Sequence, residues 1–308
     1  MCYNVAYMPL LRQKRKEKRQ NEYRKAENLM DKTTKKELSL KAIELRKGII
    51  QSVYNAQSGH PGGSLSIAEL LTYLYFKEMN IDPANPKDPK RDRMVLSKGH
   101  AAPALYAALA VRGYFPMSDV ETLRQKESIF QGHPDMKNIA GVDMSTGSLG
   151  QGISAACGMA LAGKEDGFRV YTVLGDGECG EGQVWEAAMF ASHYKLDNLC
   201  AMVDLNGLQI DGSTAEVMNS APLDEKFASF GWNVICIDAH DYDQIEQAFA
   251  KARETKGAPT VLICRSVKGK GVSFMENQVN WHGSAPKTEQ YEQAMAELEQ
   301  AYKAVSEG

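Results

Sequence analysis

Apolar positions along the chain fall into two periods. In residues 36–57, Leu38, Leu40, Ile43, Leu45, Ile49, Ile50 and Val53 recur on one side of a 3.6-residue repeat, which predicts an amphipathic helix. Leu70, Leu71, Leu74 and Tyr75 predict a second, with Ser64 or Ser66 as its N-cap. Further helices are expected over 101–112, 119–126, 152–163, 183–194, 241–255 (Ile245, Ala248 and Phe249 inward) and 288–305, the last a polar one. Between them lie short apolar, β-branched runs at 94–96, 168–174, 199–205, 232–237 and 259–264, which read as buried parallel strands. Residues 82–93 are a polar, proline-rich loop, and no internal repeat is visible. Strands alternating with helices predict an α/β fold, a doubly wound, mainly parallel sheet flanked by helices.

Composition changes this picture little. A chain of 308 residues with a net charge of -3 is of ordinary globular make-up, and its charge favours neither nucleic acid nor a membrane as partner. No apolar run approaches the roughly 20 residues of a membrane span. Six cysteines (Cys2, Cys157, Cys179, Cys200, Cys236, Cys264) show no CxxC spacing, and the last three lie in strand-like runs. Free thiols in a reducing cytoplasm are the expectation. The beginning of the chain is different. Residues 12–36 carry eleven Lys or Arg against Glu17, Glu22, Glu27 and Asp31, with little apolar periodicity. No apolar stretch of the signal-peptide kind follows. Residues 1–35 are therefore expected to be a flexible basic extension, with Met30 as an alternative start, and 36–308 the folded domain.

The chemistry concentrates between Gly175 and Gly212. A buried strand breaks on Gly175-Asp176-Gly177, so a carboxylate sits at a strand's carboxyl end between two residues that let the backbone turn. A helix and a second strand follow, and that strand ends on Asn206. Parallel strands joined through a helix bring Asp176 and Asn206 to one sheet edge, where α/β folds bind ligands. A carboxylate, a carboxamide and a nearby carbonyl are hard oxygen donors suited to Mg²⁺ or Ca²⁺ on a phosphorylated cofactor. GDG alone is also an ordinary turn signal. Of six histidines, four (His60, His100, His133, His282) are flanked by glycine in loops, whereas His193 and His240 lack that setting and read as surface or core residues. Histidine titrates near neutrality and can move protons or donate to phosphate.

SGHPGG, SKGHAAPALY, GHPDM, STGSLGQG, GDG with its Asn, LQIDG and WHGSAP, in that order over about residues 38–285, resemble the amino-terminal half of transketolase. The resemblance implies the thiamine-diphosphate-binding fold, specifically its diphosphate-binding domain. It implies that Asp176, Asn206 and the carbonyl of Leu208 hold Mg (or Ca) on the diphosphate, with Gly177 offering its N–H. His60 would face substrate and thiazolium. His100 and His282 would contact cofactor phosphate, His282 also aiding proton transfer, and His133 would meet the donor's hydroxyl end. Gly147, Ser148 and Leu149 would lie along the aminopyrimidine, and Ile210 would support the cofactor's bent shape. Glu181 matches a buried glutamate linking the two active sites of a transketolase dimer. The implied reaction is transfer of a two-carbon ketol unit from a ketose phosphate to an aldose phosphate, as in the pentose phosphate pathway.

Transketolase chains of the usual kind are about twice as long, and nothing after Ala285 matches their second domain. The glutamate that activates the aminopyrimidine has no candidate here, nor do the Arg and Ser residues that grip sugar phosphate. The resemblance therefore implies the amino-terminal subunit of a split transketolase, paired with a separate carboxy-terminal, pyrimidine-binding chain, as a dimer of heterodimers. An apolar, glycine-rich surface at residues 155–163 is the expected partner face. The alternatives are a transketolase-like chain that acts on another sugar, and a non-catalytic partner-binding half-domain. Deoxyxylulose-phosphate synthase shares GDG and Asn but not the SGHPGG and WHGSAP pair. A nucleic-acid-binding basic tail ranks last.

Overall fold

The computed structural model describes residues 29–308. Residues 1–28, most of the expected extension and Cys2 with it, lie outside the described residues. Helix α1 (Lys32–Ala56) starts inside the segment expected to be flexible, because Asp31 caps it by accepting from the Thr34 N–H at 2.9 Å. Two short helices, α2 (Pro61–Leu65) and α3 (Ala68–Tyr73), follow, and α3 runs on into a π turn at Leu74–Glu78. Neither Ser64 nor Ser66 is the N-cap of a helix. The Ser64 hydroxyl donates back to His60 O (2.7 Å), and the Ser66 hydroxyl to Asp204 Oδ2 (2.7 Å). Both serines are buried, so their hydroxyls must find partners inside, and the N-cap positions fall to His60 and Ile67.

The chain then runs β1 (Arg93–Leu96), α4 (Ala102–Arg112), α5 (Met117–Val120), α6 (Gln151–Asp166), β2 (Val170–Gly175), α7 (Gly182–His193) and β3 (Leu199–Leu205). It continues through α8 (Thr214–Val217), α9 (Leu223–Ser229), β4 (Asn233–Asp238), α10 (Tyr242–Glu254), β5 (Thr260–Arg265) and α11 (Thr288–Glu307). The helix expected over 119–126 is cut short, since Arg124 and Glu127 adopt left-handed φ of 59° and 71°. Helices α8 and α9 were not expected from the sequence.

All five strands are parallel, in the order β1-β2-β3-β5-β4. Side chains alternate across the sheet. Tyr171, Val173, Cys200, Met202, Leu262 and Cys264 face one apolar cluster shared with α1, α3, α4 and α10. Val170, Leu174, Leu199, Ala201, Val203, Val261 and Ile263 face a second, shared with α6, α7 and α9. Burial on both faces is why the strand runs are apolar throughout rather than alternating. The terminal helix α11 is less polar in its role than its composition suggests. It buries Ala294 and Leu298, stacks Tyr291 on Tyr54 of α1 at 4.1 Å, and ties the two ends of the domain together.

One buried ionic group ties α1 to α3. Glu69 on α3 takes a hydrogen bond from Arg46 of α1 at 2.7 Å and meets His240 at 2.9 Å, with Tyr242 also within electrostatic range. Burial opposes ionisation of Glu69, but Arg46 and His240 outweigh it and hold the carboxyl at about 2, against an ordinary 4.5. A depressed carboxyl contributes stability that is present above its unfolded value and lost as pH falls toward its folded one. The contribution is on the order of 3 kcal/mol. Chemical unfolding measured from pH 5 to pH 3 is expected to show the wild-type midpoint falling more steeply than that of Glu69→Gln. Parallel slopes would refute the assignment.

Candidate active site

Four strands end at the same edge of the sheet and release the polar residues there. Gly175 lies opposite Asp204 and Leu205 opposite Arg265, so Asp176, Asn206 and Ser266 leave the sheet at neighbouring levels. On the other side β1 runs into Ser97, Lys98, Gly99 and His100. Asp176 is 2% exposed, and its carboxylate accepts from the Gly177 N–H (2.8 Å) and the Gly207 N–H (2.6 Å). Burial, then the neighbouring Asp204 charge, push its carboxyl up to about 6. Among the described residues no cationic side chain is bonded to it. Asn206 Oδ1 accepts from the Leu208 N–H at 3.1 Å, and Leu208 O lies 3.2 Å from the Lys268 ammonium.

Three histidines form a triangle at this edge. The rings of His60, entering α2, and His100, in the turn Gly99–Ala101, are 5.1 Å apart. His282, after the turn Val279–Trp281, is 5.5 Å from His60 and 5.2 Å from His100. His60 Nδ1 is buried without a hydrogen-bond partner. Lys268 Nζ reaches His282 Nδ1 at 2.8 Å, while Lys98 Nζ is bonded to Asp204 Oδ2 (2.6 Å) and Gly63 O (2.7 Å). Burial first, and the nearby cations after it, lower the three imidazoles. His100 falls to about 2, with Lys98 the leading cation. His60 falls to about 4, with Arg124 foremost, and His282 to about 3, with Lys268 foremost. All three are neutral at physiological pH. Burial, then Lys98, bring Lys268 itself down to about 8. Among the described residues no carboxylate is bonded to Lys268, whose ammonium meets Leu208 O and His282 Nδ1 instead, an arrangement that suits an anionic ligand.

The remaining sequence-predicted residues are more dispersed. His133 lies against Gly147, where an added Cβ would stand 3.0 Å from the ring. Gly147 has a φ of +154°, so a side chain there would be strained as well as crowded. Ser148 is exposed and Leu149 half-buried. Ile210 is 64% exposed. Glu181, expected to be buried, is exposed in this chain; the buried glutamate of the segment is Glu178. Glu178 accepts from the Ser97 hydroxyl (2.5 Å), the Gly150 N–H (2.9 Å) and the Gly175 N–H (3.0 Å), joining the ends of β1 and β2 to the start of α6. His193 is on α7 and His240 in the buried group with Glu69, both away from the triangle.

The donor set fits a hard divalent cation. A carboxylate with no cationic partner, a carboxamide oxygen and a backbone carbonyl would supply oxygen ligands, with His60 Nδ1 left free toward the same edge. No group of three or more His, Cys, Asp or Glu able to hold a metal occurs among the described residues. An all-parallel, doubly wound sheet with phosphate- and metal-suited groups at its carboxyl edge defines a ligand-binding α/β domain.

Comparison with known proteins narrows this. The family model for the transketolase thiamine diphosphate binding domain matches residues 38–303. The 6-deoxy-6-sulfo-D-fructose transketolase subunit SqwG of a Clostridium strain is 48% identical over 265 residues, covering 85% of this chain and 96% of its own. An apulose-4-phosphate transketolase subunit of Phocaeicola vulgatus is 43% identical over 263 residues, covering 85% and 93%. The crystal structure of transketolase from Campylobacter jejuni superposes with a TM-score of 0.80 at 30% identity, over 87% of this chain but only 45% of that one. The chain belongs to the transketolase family, as its thiamine diphosphate binding domain.

Two lysines of the site, Lys98 and Lys268, were not anticipated from the sequence. Both stand in plain motifs, SKGH and Val267-Lys-Gly-Lys-Gly271, but a lysine in a loop reads as solvated. Each is only 2% exposed here. Asp204, inside β3, and Glu178 are also buried and were not anticipated either.

Proposed function

We propose that this chain is the amino-terminal subunit of a transketolase completed by a separate carboxy-terminal, pyrimidine-binding chain, and that it holds the diphosphate and metal of thiamine diphosphate. The carrying observation is the meeting of the two halves of the site. Lys268 touches both Leu208 O, in the proposed metal set, and His282, in the histidine triangle. When bound, the cofactor supplies the carbanion-stabilising chemistry of carbon–carbon cleavage. Asp176, Asn206 and Leu208 would hold Mg²⁺ (or Ca²⁺). His100, His282, Lys268 and the Gly177 N–H would hold the diphosphate, and Gly147, Ser148, Leu149 and Ile210 would line the ring system. The neutral imidazole of His60, its Nδ1 without a partner, is in the form that accepts a proton from a substrate hydroxyl; His282, with Nδ1 taken by the Lys268 ammonium, would take part in proton transfer through its Nε2–H, and His133, farther out, would orient the donor.

The SqwG and apulose-4-phosphate relatives are both named for a ketose carrying a terminal anionic group, and a ketose phosphate or sulfonate is the donor class we infer. The partner would cover the exposed apolar residues at the site mouth, Ile210 and Met218, and those on α6 and α7, Leu161, Met189 and Phe190. Glu181, exposed here, would then be enclosed in a dimer of heterodimers. We assign the folded domain to residues 30–308, since Met30 is buried in the core and Asp31 caps α1. Five free cysteines among the described residues suit the cytoplasm, and no helix among them is long and apolar enough to cross a membrane.

The test is ketol transfer from xylulose 5-phosphate, and separately from 6-deoxy-6-sulfofructose, to an aldose phosphate, with thiamine diphosphate and Mg²⁺. Transfer is expected only when this chain is mixed with a carboxy-terminal transketolase chain, and equally so when the chain begins at Met30. Transfer by this chain alone would overturn the split arrangement. Metal-dependent cofactor binding without transfer would move the donor to another sugar.

A further inference from the structure

His240 stands outside the histidine triangle, yet both of its ring nitrogens are engaged. Nδ1 meets Glu69 Oε2 at 2.9 Å, and Nε2 lies 3.0 Å from the Val267 N–H. A backbone N–H can only donate, so Nε2 accepts and the ring proton sits on Nδ1, pointing at the Glu69 carboxylate. Glu69 is fixed in turn by Arg46 Nη2 at 2.7 Å. Arg46 also reaches the far side of the same loop, its Nε donating to Lys270 O at 2.8 Å. That approach depends on Gly271, where an added Cβ would stand 2.9 Å from Arg46 Cδ. The chain of contacts Arg46, Glu69, His240 therefore grips the segment after β5 at Val267 and at Lys270, on either side of Lys268.

Between those grips the loop is pressed against α2. The Gly269 N–H donates to Gly62 O at 3.0 Å, and a Cβ on Gly62 would meet Lys268 Cγ at 3.1 Å. Lys268 has little freedom, and its ammonium is delivered to Leu208 O and His282 Nδ1. We propose that His240 is a positioning residue for the cofactor site: by accepting from Val267 it fixes the loop that presents Lys268 to an anionic group of the cofactor. The inference rests on the site reading given above. It assigns to Glu69 the task of selecting the imidazole tautomer, and to Arg46 that of holding Glu69, much as outer hydrogen bonds orient the ligands of metal sites.

The experiment uses three variants of the full chain. In His240→Gln the side chain can still donate to Glu69 and accept from Val267. In His240→Leu it can do neither, and in His240→Asn it keeps both functions but is too short to span them. Thiamine diphosphate affinity is read in the complex with the carboxy-terminal chain. Amide hydrogen exchange at Val267 and the Nδ1 nitrogen shift of His282 are read on this chain without cofactor. His240→Leu and His240→Asn are expected to weaken the cofactor by about tenfold or more, to lose protection at Val267 and to shift the His282 resonance. His240→Gln is expected to stay close to wild type in all three. If His240→Leu does not fold, His240→Asn decides. Wild-type affinity in a variant that has lost Val267 protection, or unchanged protection at Val267, overturns the proposal. Failure of the wild-type complex to bind thiamine diphosphate would instead overturn the functional reading, and Val267 exchange would still decide whether His240 holds the loop.

Discussion

Asp176→Asn is expected to abolish ketol transfer by the reconstituted enzyme while leaving the chain folded. The loss should be at least roughly 10²–10³-fold, the scale seen when one preorganised electrostatic contact is removed from an active site. Asp176 is almost fully enclosed, its carboxylate bonded to the Gly177 and Gly207 N–H groups and near the buried Asp204. A second negative charge in that position burdens the cofactor-free chain. Neutralising it loses one hydrogen bond and relieves that burden, so the unfolding midpoint of the free chain should change little. What disappears is the carboxylate oxygen a divalent cation needs. The discriminating measurement is the thermal shift on adding thiamine diphosphate and Mg²⁺ to the assembled enzyme. At ligand 100-fold above Kd, binding adds about 2.7 kcal/mol in the wild type, and the variant should show none. A variant that keeps this shift and its activity would remove Asp176 from the metal set. One that unfolds without cofactor would make its role structural.

The sequence made the scaffold legible because both faces of the sheet are buried. Runs such as Val170–Gly175 and Leu199–Leu205 are apolar without alternation, and that pattern has few readings in a chain that also carries amphipathic helices. Four histidines were legible as a group for another reason, each interrupting a glycine-containing loop beside a regular element; three of them, His60, His100 and His282, come together, while His133 lies against Gly147. What stayed hidden were the charges that are buried inside. Lys98, Asp204, Glu178 and Lys268 are residue types normally found in water, and nothing local marks them as buried. His240 was hidden because its partners are 171 and 27 residues away in sequence. Ser64 and Ser66 misled through a local rule that holds for exposed helix starts and fails where the hydroxyl is enclosed. Helices α8 and α9 are short: α8 buries no residue, and α9 only Leu223 and Phe227, too few positions to announce a period.

The second large effect concerns Lys98 and Asp204, and it is one of stability. The pair is sealed, with the lysine side chain 2% and the aspartate 0% exposed, and Lys98 Nζ lies 2.6 Å from Asp204 Oδ2. Burial works against the Asp204 charge, but Lys98, with Ser266 and Ser66, prevails and holds the carboxyl below its usual range. Lys98→Met keeps the length and packing of the side chain and leaves Asp204 charged with only hydroxyl and amide donors, from Ser66, Ser266 and Asn206. Gly63 O loses its ammonium donor at the same time and keeps the Ser66 hydroxyl, at 3.1 Å. Breaking one side of a buried pair typically costs about 3–5 kcal/mol, whereas removing both charges costs far less. Urea unfolding should therefore place Lys98→Met well below wild type, and the double variant Lys98→Met, Asp204→Asn between the two. The double variant is the informative one. Recovery in it would show that the lysine's main task in the empty chain is to neutralise Asp204, with the β1–β3 edge held together by that pairing. If the double variant were no more stable than Lys98→Met, the lysine would be holding the Gly63 carbonyl and the α2 turn instead, and the edge would depend on α2 rather than on the ion pair. A Lys98→Met midpoint within about 1 kcal/mol of wild type would refute both accounts, since a fully buried unpaired charge cannot be that cheap.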